Sequence, residues 1–164
     1  MIILGIDPGI AIVGYGIIEI MGNRYRILEY GTIQTYPNQS TDQRLKIIYD
    51  ELIELIKQYK PDEVAFEQLF HQKNSKTVIT VAQARGVEVL ACVAMGLEIY
   101  EYTPLQVKQA LTGYGRASKI QMQEAVKRIL NLDGIPRPDD AADALAIAIC
   151  HSFTNKFKSE FKMR

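Results

Sequence analysis

Four acidic residues lie near the ends of predicted buried strands or of a predicted helix, where a carboxylate is poorly hydrated. Asp7 ends the apolar stretch MIILGI and is followed at once by Pro8-Gly9, and Glu67 ends a short apolar strand. Asp140 and Asp143 lie three residues apart in a predicted helix and therefore share one of its faces. A carboxylate withdrawn from water must be hydrogen-bonded, protonated or bound to a cation. For Asp7 taken alone, capping of the Pro-Gly turn explains the residue as well as a functional site does.

The positions of these acids predict that they converge. Sites in open α/β sheets form beyond the carboxyl ends of the strands, and both Asp7 and Glu67 end strands. The stripe of Asp140 and Asp143 continues through Ile147 and Cys150, so the same helix face turns toward the sheet. Two unit charges about 5 Å apart repel by roughly 3 kcal/mol at an effective dielectric constant of about 20. Repulsion among four carboxylates exceeds what a purely structural feature tolerates.

Divalent cations would relieve this repulsion. Two such ions neutralise four carboxylates, and ligand sets made only of oxygen favour Mg²⁺ or Mn²⁺ over zinc. A pair of ions suits in-line displacement at a phosphodiester, because one activates the attacking water and the other stabilises the leaving oxygen. The acids therefore predict metal-dependent cleavage of a phosphodiester.

The elements that must position these acids follow the order β-β-β-α-β-α-β-α-α-α, which indicates an α/β domain. Capping boxes begin helices at Ser40 and Ser118, and Pro61 ends the first helix. The first three strands form an antiparallel meander, whereas the later strands are joined through helices and should be parallel. The strands are predicted over 1–9, 11–20, 24–36, 63–67 and 97–102, and the helices over 41–59, 75–96, 104–113, 118–132 and 139–153.

The predicted helix over 75–96 is apolar on most of its sides. Only Gln83, Arg85 and Glu88 form a narrow polar face. A helix that is apolar nearly all round needs burial on more than one side. One side can pack on the sheet, and the other predicts contact with a partner subunit.

Composition is that of a soluble globular protein, and net charge points to no partner. The chain has 164 residues, and its 19 basic residues balance 19 acidic ones. Cys92 and Cys150 lie in apolar helical patterns, which predicts buried thiols in a reducing compartment, the cytoplasm. No apolar run reaches about 18 residues, so no membrane span is expected. One domain is predicted over residues 1–154, followed by a basic, flexible tail over 155–164.

Five motifs in chain order resemble the RuvC family of Holliday-junction resolvases. They are Gly5-Ile6-Asp7-Pro8-Gly9, Phe66-Glu67-Gln68-Leu69-Phe70, Gln83-Ala84-Arg85-Gly86, Gln106-Val107-Lys108-Gln109 and Asp140-Ala141-Ala142-Asp143-Ala144-Leu145-Ala146. The resemblance implies a ribonuclease-H-like fold, a five-stranded mixed sheet flanked by helices. It also implies paired symmetric nicks in opposed strands of four-way junction DNA, leaving 5′-phosphate and 3′-hydroxyl ends, in homologous recombination and DNA repair. The resemblance further implies two Mg²⁺ ions per site, which Mn²⁺ can replace. It also implies a homodimer, formed through the helix near 75–96, and a branch-migration complex of the RuvAB type as a partner.

The resemblance also assigns roles to residues. Asp7, Glu67, Asp140 and Asp143 match the family's catalytic, metal-binding carboxylates. Phe70 matches an aromatic residue that stacks on DNA bases at the junction, and Lys108 and Lys119 match basic residues near the cleaved phosphate. Two features depart from the pattern. Ile10 replaces the small hydroxyl residue of many members, and Asp139 adds an acid that we interpret as a helix cap or as a group behind the metal ligands.

Other functions remain open at this stage. A ribosomal-RNA-processing nuclease of the same broad fold shares the Asp-Pro-Gly start, and a catalytically inactive module for branched DNA would share much of the surface. An actin-like sugar kinase or ATPase also begins with a similar strand, but that fold needs two domains, for which 164 residues are too few.

Overall fold

The computed structural model describes residues 1–68, 75–154 and 158–163, and, in the helix that begins at Ser75, the side chains from residue 78 onward. The predicted order of strands and helices is confirmed, and the elements predicted over 41–59, 63–67 and 139–153 have those bounds. In chain order the elements are β1 (Ile2–Asp7), β2 (Ile12–Met21), β3 (Arg24–Gln34), α1 (Thr41–Tyr59), β4 (Glu63–Glu67), α2 (Ser75–Ala94), β5 (Glu98–Tyr102), α3 (Pro104–Thr112), α4 (Lys119–Ile129), α5 (Asp139–Phe153) and a short 3₁₀ helix (Lys158–Glu160).

The five strands form one mixed sheet in the order β3-β2-β1-β4-β5. β1, β2 and β3 pair antiparallel, whereas β1 and β4, and β4 and β5, pair parallel, as the connections predict. Ile6 lies opposite Phe66, so the next residues, Asp7 and Glu67, end neighbouring strands at the same edge. This register brings together two acids that are distant in sequence.

Both faces of the central strands are covered. On one face, Ile3 belongs to a core built with α3, α4 and α5, and on the other, Leu4 belongs to a core built with α1 and α2. This double coverage confirms the prediction from the apolar first strand. Cys92 and Cys150 are buried free thiols, one in each core. Within the described ranges, no helix is long and apolar enough to cross a membrane.

Helix α5 lies unusually close to the sheet because glycines face it. A Cβ atom on Gly5 would overlap the carbonyl oxygen of Ala144 and lie 2.8 Å from the amide nitrogen of Ala148. A Cβ atom on Gly14 would overlap the carbonyl oxygen of Asp140. Gly14 is also the residue that pairs with Asp7 between β2 and β1. The start of α5 is therefore set directly against the strand end that carries Asp7.

Residues near the C-terminus lie against β5 rather than apart from the domain. The amide of Met163 donates to the carbonyl oxygen of Ile99 at 2.9 Å, and the Phe161 ring stacks on Tyr102 with 4.9 Å between centroids. Lys162 pairs with Glu98 at 2.6 Å. An edge strand offers unpaired backbone groups, and this segment satisfies part of them. Residues 155–157 and 164 of the predicted tail lie outside the described residues.

Candidate active site

Asp7 lies at the centre of an acidic cluster, which consists of Asp7, Glu67, Asp140 and Asp143. Burial and then the negative charges of Glu67, Asp143 and Asp140, in that order of importance, together raise the pKa of Asp7 to about 7, and Lys119 opposes the rise. All three of the other predicted acids thus act on Asp7 through space. The carboxylates that the sequence predicts to converge do approach one another, at the carboxyl edge of the sheet.

Glu67 and Asp143 respond to the same environment. Burial raises the pKa of Glu67, and Asp143 adds to the rise while Lys108 opposes it. Burial also raises the pKa of Asp143, and Lys119 opposes that rise. Carboxyl groups with raised pKa values hold protons more readily than exposed ones, because ionisation adds charge to a poorly hydrated, already negative site.

The donor set fits a hard divalent cation. The clustered acids offer oxygen atoms only, and a cation would relieve the repulsion that raises their pKa values. Among the described residues, no three Asp, Glu, His or Cys side chains lie close enough together to chelate a metal ion as they stand. Their role as metal ligands therefore stays a prediction that rests on chemistry and position.

His151 and the two cysteines, which all lie in the described part of the chain, do not compete for this role. The His151 ring lies within hydrogen-bond distance of Tyr102 Oη, at 2.6 Å, and of Glu63 Oε2, at 2.8 Å, and the side chain is fully buried. Cys92 and Cys150 are buried in the two cores. The His151 ring is thus packed in the core and bonded there, and His71 lies outside the described residues.

Two lysines face the acids across a pocket of about 300 Å³. Lys108 of α3 and Lys119 at the start of α4 line this pocket together with Glu67 and Asp143. The Lys119 ammonium lies 3.4 Å from Asp143 Oδ2 and 3.2 Å from Asp139 Oδ2. The structure thus places both predicted lysines beside the carboxylates, where positive charge can meet a phosphate.

Arg85 holds the end of β4 in place. Its guanidinium donates to the Glu67 carbonyl oxygen at 2.9 Å, bonds the Glu101 carboxylate of β5 and lies 5.4 Å from the centre of the Phe66 ring. A planar guanidinium suits such simultaneous contacts. In the sequence, family resemblance alone indicates a function for the motif that contains Arg85. In the structure, the contact of Arg85 with the Glu67 carbonyl oxygen gives it a physical role, which is to position Glu67.

Glu88 of α2 is a site residue that the sequence interpretation missed. We assigned Glu88 to a polar face of the helix, but it is fully buried, and its Oε1 accepts the Gly9 amide at 3.2 Å. Oε2 has no hydrogen-bond partner among the described residues. The signal was helical spacing, because Glu88 shares a stripe with the buried residues Ala84, Ala91 and Cys92. Glu88 therefore fastens the turn that follows Asp7.

We expect Glu88→Gln to flatten the pH dependence of stability. Burial raises the pKa of Glu88 from near 4.5 to about 8, so the folded chain keeps a proton that the unfolded chain has lost. The stability from this proton is complete below about pH 4.5 and is lost as pH rises through about 8. Wild-type free energy of unfolding should fall by roughly 2–4 kcal/mol between pH 5 and pH 9 from this source, and much less in the variant.

Urea unfolding in EDTA at three pH values measures this effect. Glu124→Gln, which changes an exposed glutamate of α4, is the matched control and should follow the wild-type profile. If Glu88→Gln loses as much stability with rising pH as wild type does, Glu88 is not the buried proton carrier.

Phe70 lies outside the described residues, so its predicted stacking on DNA bases is not tested by the structure. The remaining predicted site residues are all described. Asp7, Glu67, Asp140, Asp143, Lys108 and Lys119 come from five different elements and meet at one edge of the sheet.

Comparisons with known proteins agree on one family. The family model described as crossover junction endodeoxyribonuclease RuvC matches residues 3–151. A curated relative with the same description, from Alkaliphilus metalliredigens, is 56% identical over 164 residues, which is all of both chains. The Thermus thermophilus RuvC structure has a TM-score of 0.92 at 34% identity and covers 99% of this chain and 100% of its own. A second structure, T. thermophilus RuvC in complex with Holliday junction substrate, has a TM-score of 0.90 at 32% identity and covers 99% of both chains. The predicted ribonuclease-H-like fold is confirmed.

Proposed function

Because the chain belongs to the RuvC family of crossover junction endodeoxyribonucleases, we propose that it resolves four-way DNA junctions by paired nicks in opposed strands. The observation that supports the proposal is the meeting of Asp7 and Glu67 with Asp140 and Asp143 at the sheet edge, opposite Lys108 and Lys119. Phosphodiester cleavage by this route needs two kinds of side chain. Acids would hold the divalent cations, and lysines would contact the phosphate.

In the proposed reaction Asp7, Glu67, Asp140 and Asp143 would hold two Mg²⁺ or Mn²⁺ ions. When bound, such a pair would supply activation of the attacking water and stabilisation of the leaving oxygen, and the expected products carry 5′-phosphate and 3′-hydroxyl ends. Arg85 and Glu88 keep the backbone of Glu67 and of the Asp7 turn in register. Lys108 and Lys119 stabilise negative charge that develops on the phosphate. Phe70 would stack on a junction base, worth about 1–3 kcal/mol.

We propose that the exposed face of α2 joins two copies of the chain. Ile79, Leu90 and Val93 are 69%, 56% and 55% exposed, which leaves an apolar surface on a helix whose other side is packed in the core. A four-way junction has approximate two-fold symmetry, so symmetric cuts require two sites related by a two-fold axis. The setting that follows is bacterial recombination and repair in the cytoplasm, with a branch-migration complex of the RuvAB type as a further partner.

A cleavage assay tests the proposed activity. Labelled four-way junction, linear duplex of the same sequence, and an RNA–DNA hybrid are incubated with the protein, with Mg²⁺ or with EDTA. We expect nicks only in the junction and only with Mg²⁺, in pairs on opposed strands. Preferred cleavage of the RNA substrate would instead indicate an RNA-processing nuclease. Junction binding without any nick would indicate an inactive binding module.

We expect Leu90→Glu to separate the dimer. Placing a charge in the centre of an apolar interface leaves it desolvated and unpaired, which costs several kcal/mol of association free energy. Sedimentation velocity should show a monomer at concentrations where wild type is a dimer. Met21→Glu, which alters an exposed apolar residue at the β2–β3 hairpin, should remain dimeric. If both variants sediment as wild type does, α2 is not the interface.

A further inference from the structure

Lys119 lies between two carboxylates of α5, those of Asp139 and Asp143. Its ammonium is 3.4 Å from Asp143 Oδ2 and 3.2 Å from Asp139 Oδ2, and the lysine side chain is 53% exposed. The same positive charge is therefore shared between a proposed cation ligand and a neighbouring acid.

Asp139 is fixed in orientation by its own partners. Gln123 Nε2 donates to Asp139 Oδ1 at 3.0 Å, and the Arg137 guanidinium bonds the same oxygen. Gln123 is buried on α4, the helix that begins with Lys119. With Oδ1 engaged twice, Oδ2 is the atom that faces the ammonium. An acid in the first turn of a helix compensates the helix dipole whichever way its carboxylate is turned. Dipole compensation therefore does not explain why the Asp139 carboxylate is held in this one orientation.

A divalent cation at Asp143 would compete with Lys119 for the same carboxylate. Two positive charges a few ångströms apart repel, so the ammonium must move away from Asp143 when the cation binds. Asp139 offers it a second carboxylate that is already in contact. Lys119 then stays at the pocket that it lines with Glu67, where the phosphate is proposed to bind.

We propose, on the basis of the proposed function, that Asp139 is a positioning residue that retains Lys119 at the site while Asp143 exchanges the ammonium for a divalent cation. In this proposal Asp139 is neither a helix cap nor a metal ligand, and it acts on the reaction through Lys119. Its effect on cation binding must therefore depend on the presence of the Lys119 charge.

A double-mutant cycle tests this dependence by calorimetric titration with Mn²⁺ in the absence of DNA. In Asp139→Asn the ammonium keeps Asp143 as its one ion-pair partner among the described residues, so Mn²⁺ affinity should weaken about two- to fivefold. Lys119→Gln removes the competitor and should tighten Mn²⁺ binding. In the Lys119→Gln background, Asp139→Asn should change the affinity by less than about 1.5-fold.

Two further variants complete the experiment. Asp133→Asn removes the same charge from an exposed position after α4 and should bind Mn²⁺ as wild type does. Asp139→Glu keeps a carboxylate for Lys119 and should recover part of the lost affinity. Thermal melting checks that each variant folds, which we expect because Asp139 is partly exposed. Single-turnover junction cleavage at saturating Mn²⁺ should be slower in Asp139→Asn, since Lys119 is less well held.

Each other outcome overturns the inference. Equal weakening of Mn²⁺ binding by Asp139→Asn in both backgrounds would mean that Asp139 acts as a direct negative charge. No change in either background would leave it as a first-turn acid of α5. If wild type binds no Mn²⁺, the proposed metal site fails and the inference fails with it. If wild type binds Mn²⁺ and nicks junctions while Asp139→Asn is indistinguishable from it, only the role of Asp139 is refuted.

Discussion

Asp7→Asn is expected to abolish junction cleavage while retaining or tightening junction binding. Asn keeps the size of the side chain but removes a charge from the acid on which the other three act most directly. If Asp7 holds cations, losing it removes several kcal/mol of transition-state stabilisation, or at least about 10³-fold in rate. Binding should not suffer, because a negative charge at the proposed phosphate site would repel the DNA backbone, and the substitution removes that charge.

The measurement is single-turnover cleavage of a synthetic four-way junction, with junction binding measured separately in EDTA. Asp133→Asn, which removes an exposed carboxylate from the segment between α4 and α5, is the matched control and should cleave normally. A variant that loses binding in proportion to cleavage would count against the metal role and would make Asp7 a DNA-binding or structural residue.

The same substitution should also stabilise the fold at high pH. Burial and neighbouring acids raise the pKa of Asp7 to about 7, so the proton held by the folded chain contributes stability that is complete below about pH 4. That contribution is lost as pH rises through about 7. In EDTA at pH 8, Asp7→Asn should therefore be more stable than wild type by roughly 2–4 kcal/mol, and at pH 5 the difference should shrink. Urea unfolding at both pH values checks the sign.

Gly14→Ala is expected to lower both the stability of the fold and the rate of junction cleavage. A single methyl group on Gly14 would overlap the Asp140 carbonyl oxygen, which is backbone and has no other rotamer to adopt. The start of α5 must then shift away from β2, at a cost of about 1–3 kcal/mol or more. Because that shift moves Asp140 and Asp143 relative to Asp7, cleavage should fall by more than the loss of folded protein explains.

Gly134→Ala is the control for this prediction, because a Cβ atom there meets no atom within 4 Å. Chemical denaturation gives the stability of both variants, and cleavage is measured well below their unfolding transitions. Gly14→Ala with wild-type stability and wild-type cleavage would show that α5 does not need its close approach to β2.

Much of the fold follows from local patterns in the chain. Capping residues, helical spacing and Pro61 determine α1, and the predicted bounds of α1, β4 and α5 agree with the structure. Apolar residues on both faces of β1 indicated a central strand, and Ile3 and Leu4 do lie in opposite cores. These features can be predicted from the sequence because the hydrogen bonds and the burial pattern within one helix or strand depend on residues that are close together along the chain.

The convergence of acids was also foreseeable. Asp7 and Glu67 end strands, and the spacing of Asp140 and Asp143 selects a helix face, so topology rules were enough to expect a shared edge. Those rules give the approximate position of a side chain but not its partners. The function of the site as a nuclease centre came from this chemistry together with the family resemblance.

Only the tertiary structure determined which charged groups contact one another and which of them are buried. Glu88 lies in a helix whose pattern suggested a polar face, yet it is buried beneath the Asp7 turn. Asp139 adjoins Asp140 in sequence but bonds Gln123 and Lys119 of another helix. Through-space contacts of this kind depend on distances between elements, which are set by close approaches such as that of α5 to Gly14. Local sequence determines the elements and the kinds of atoms they carry, whereas packing determines which of those atoms meet.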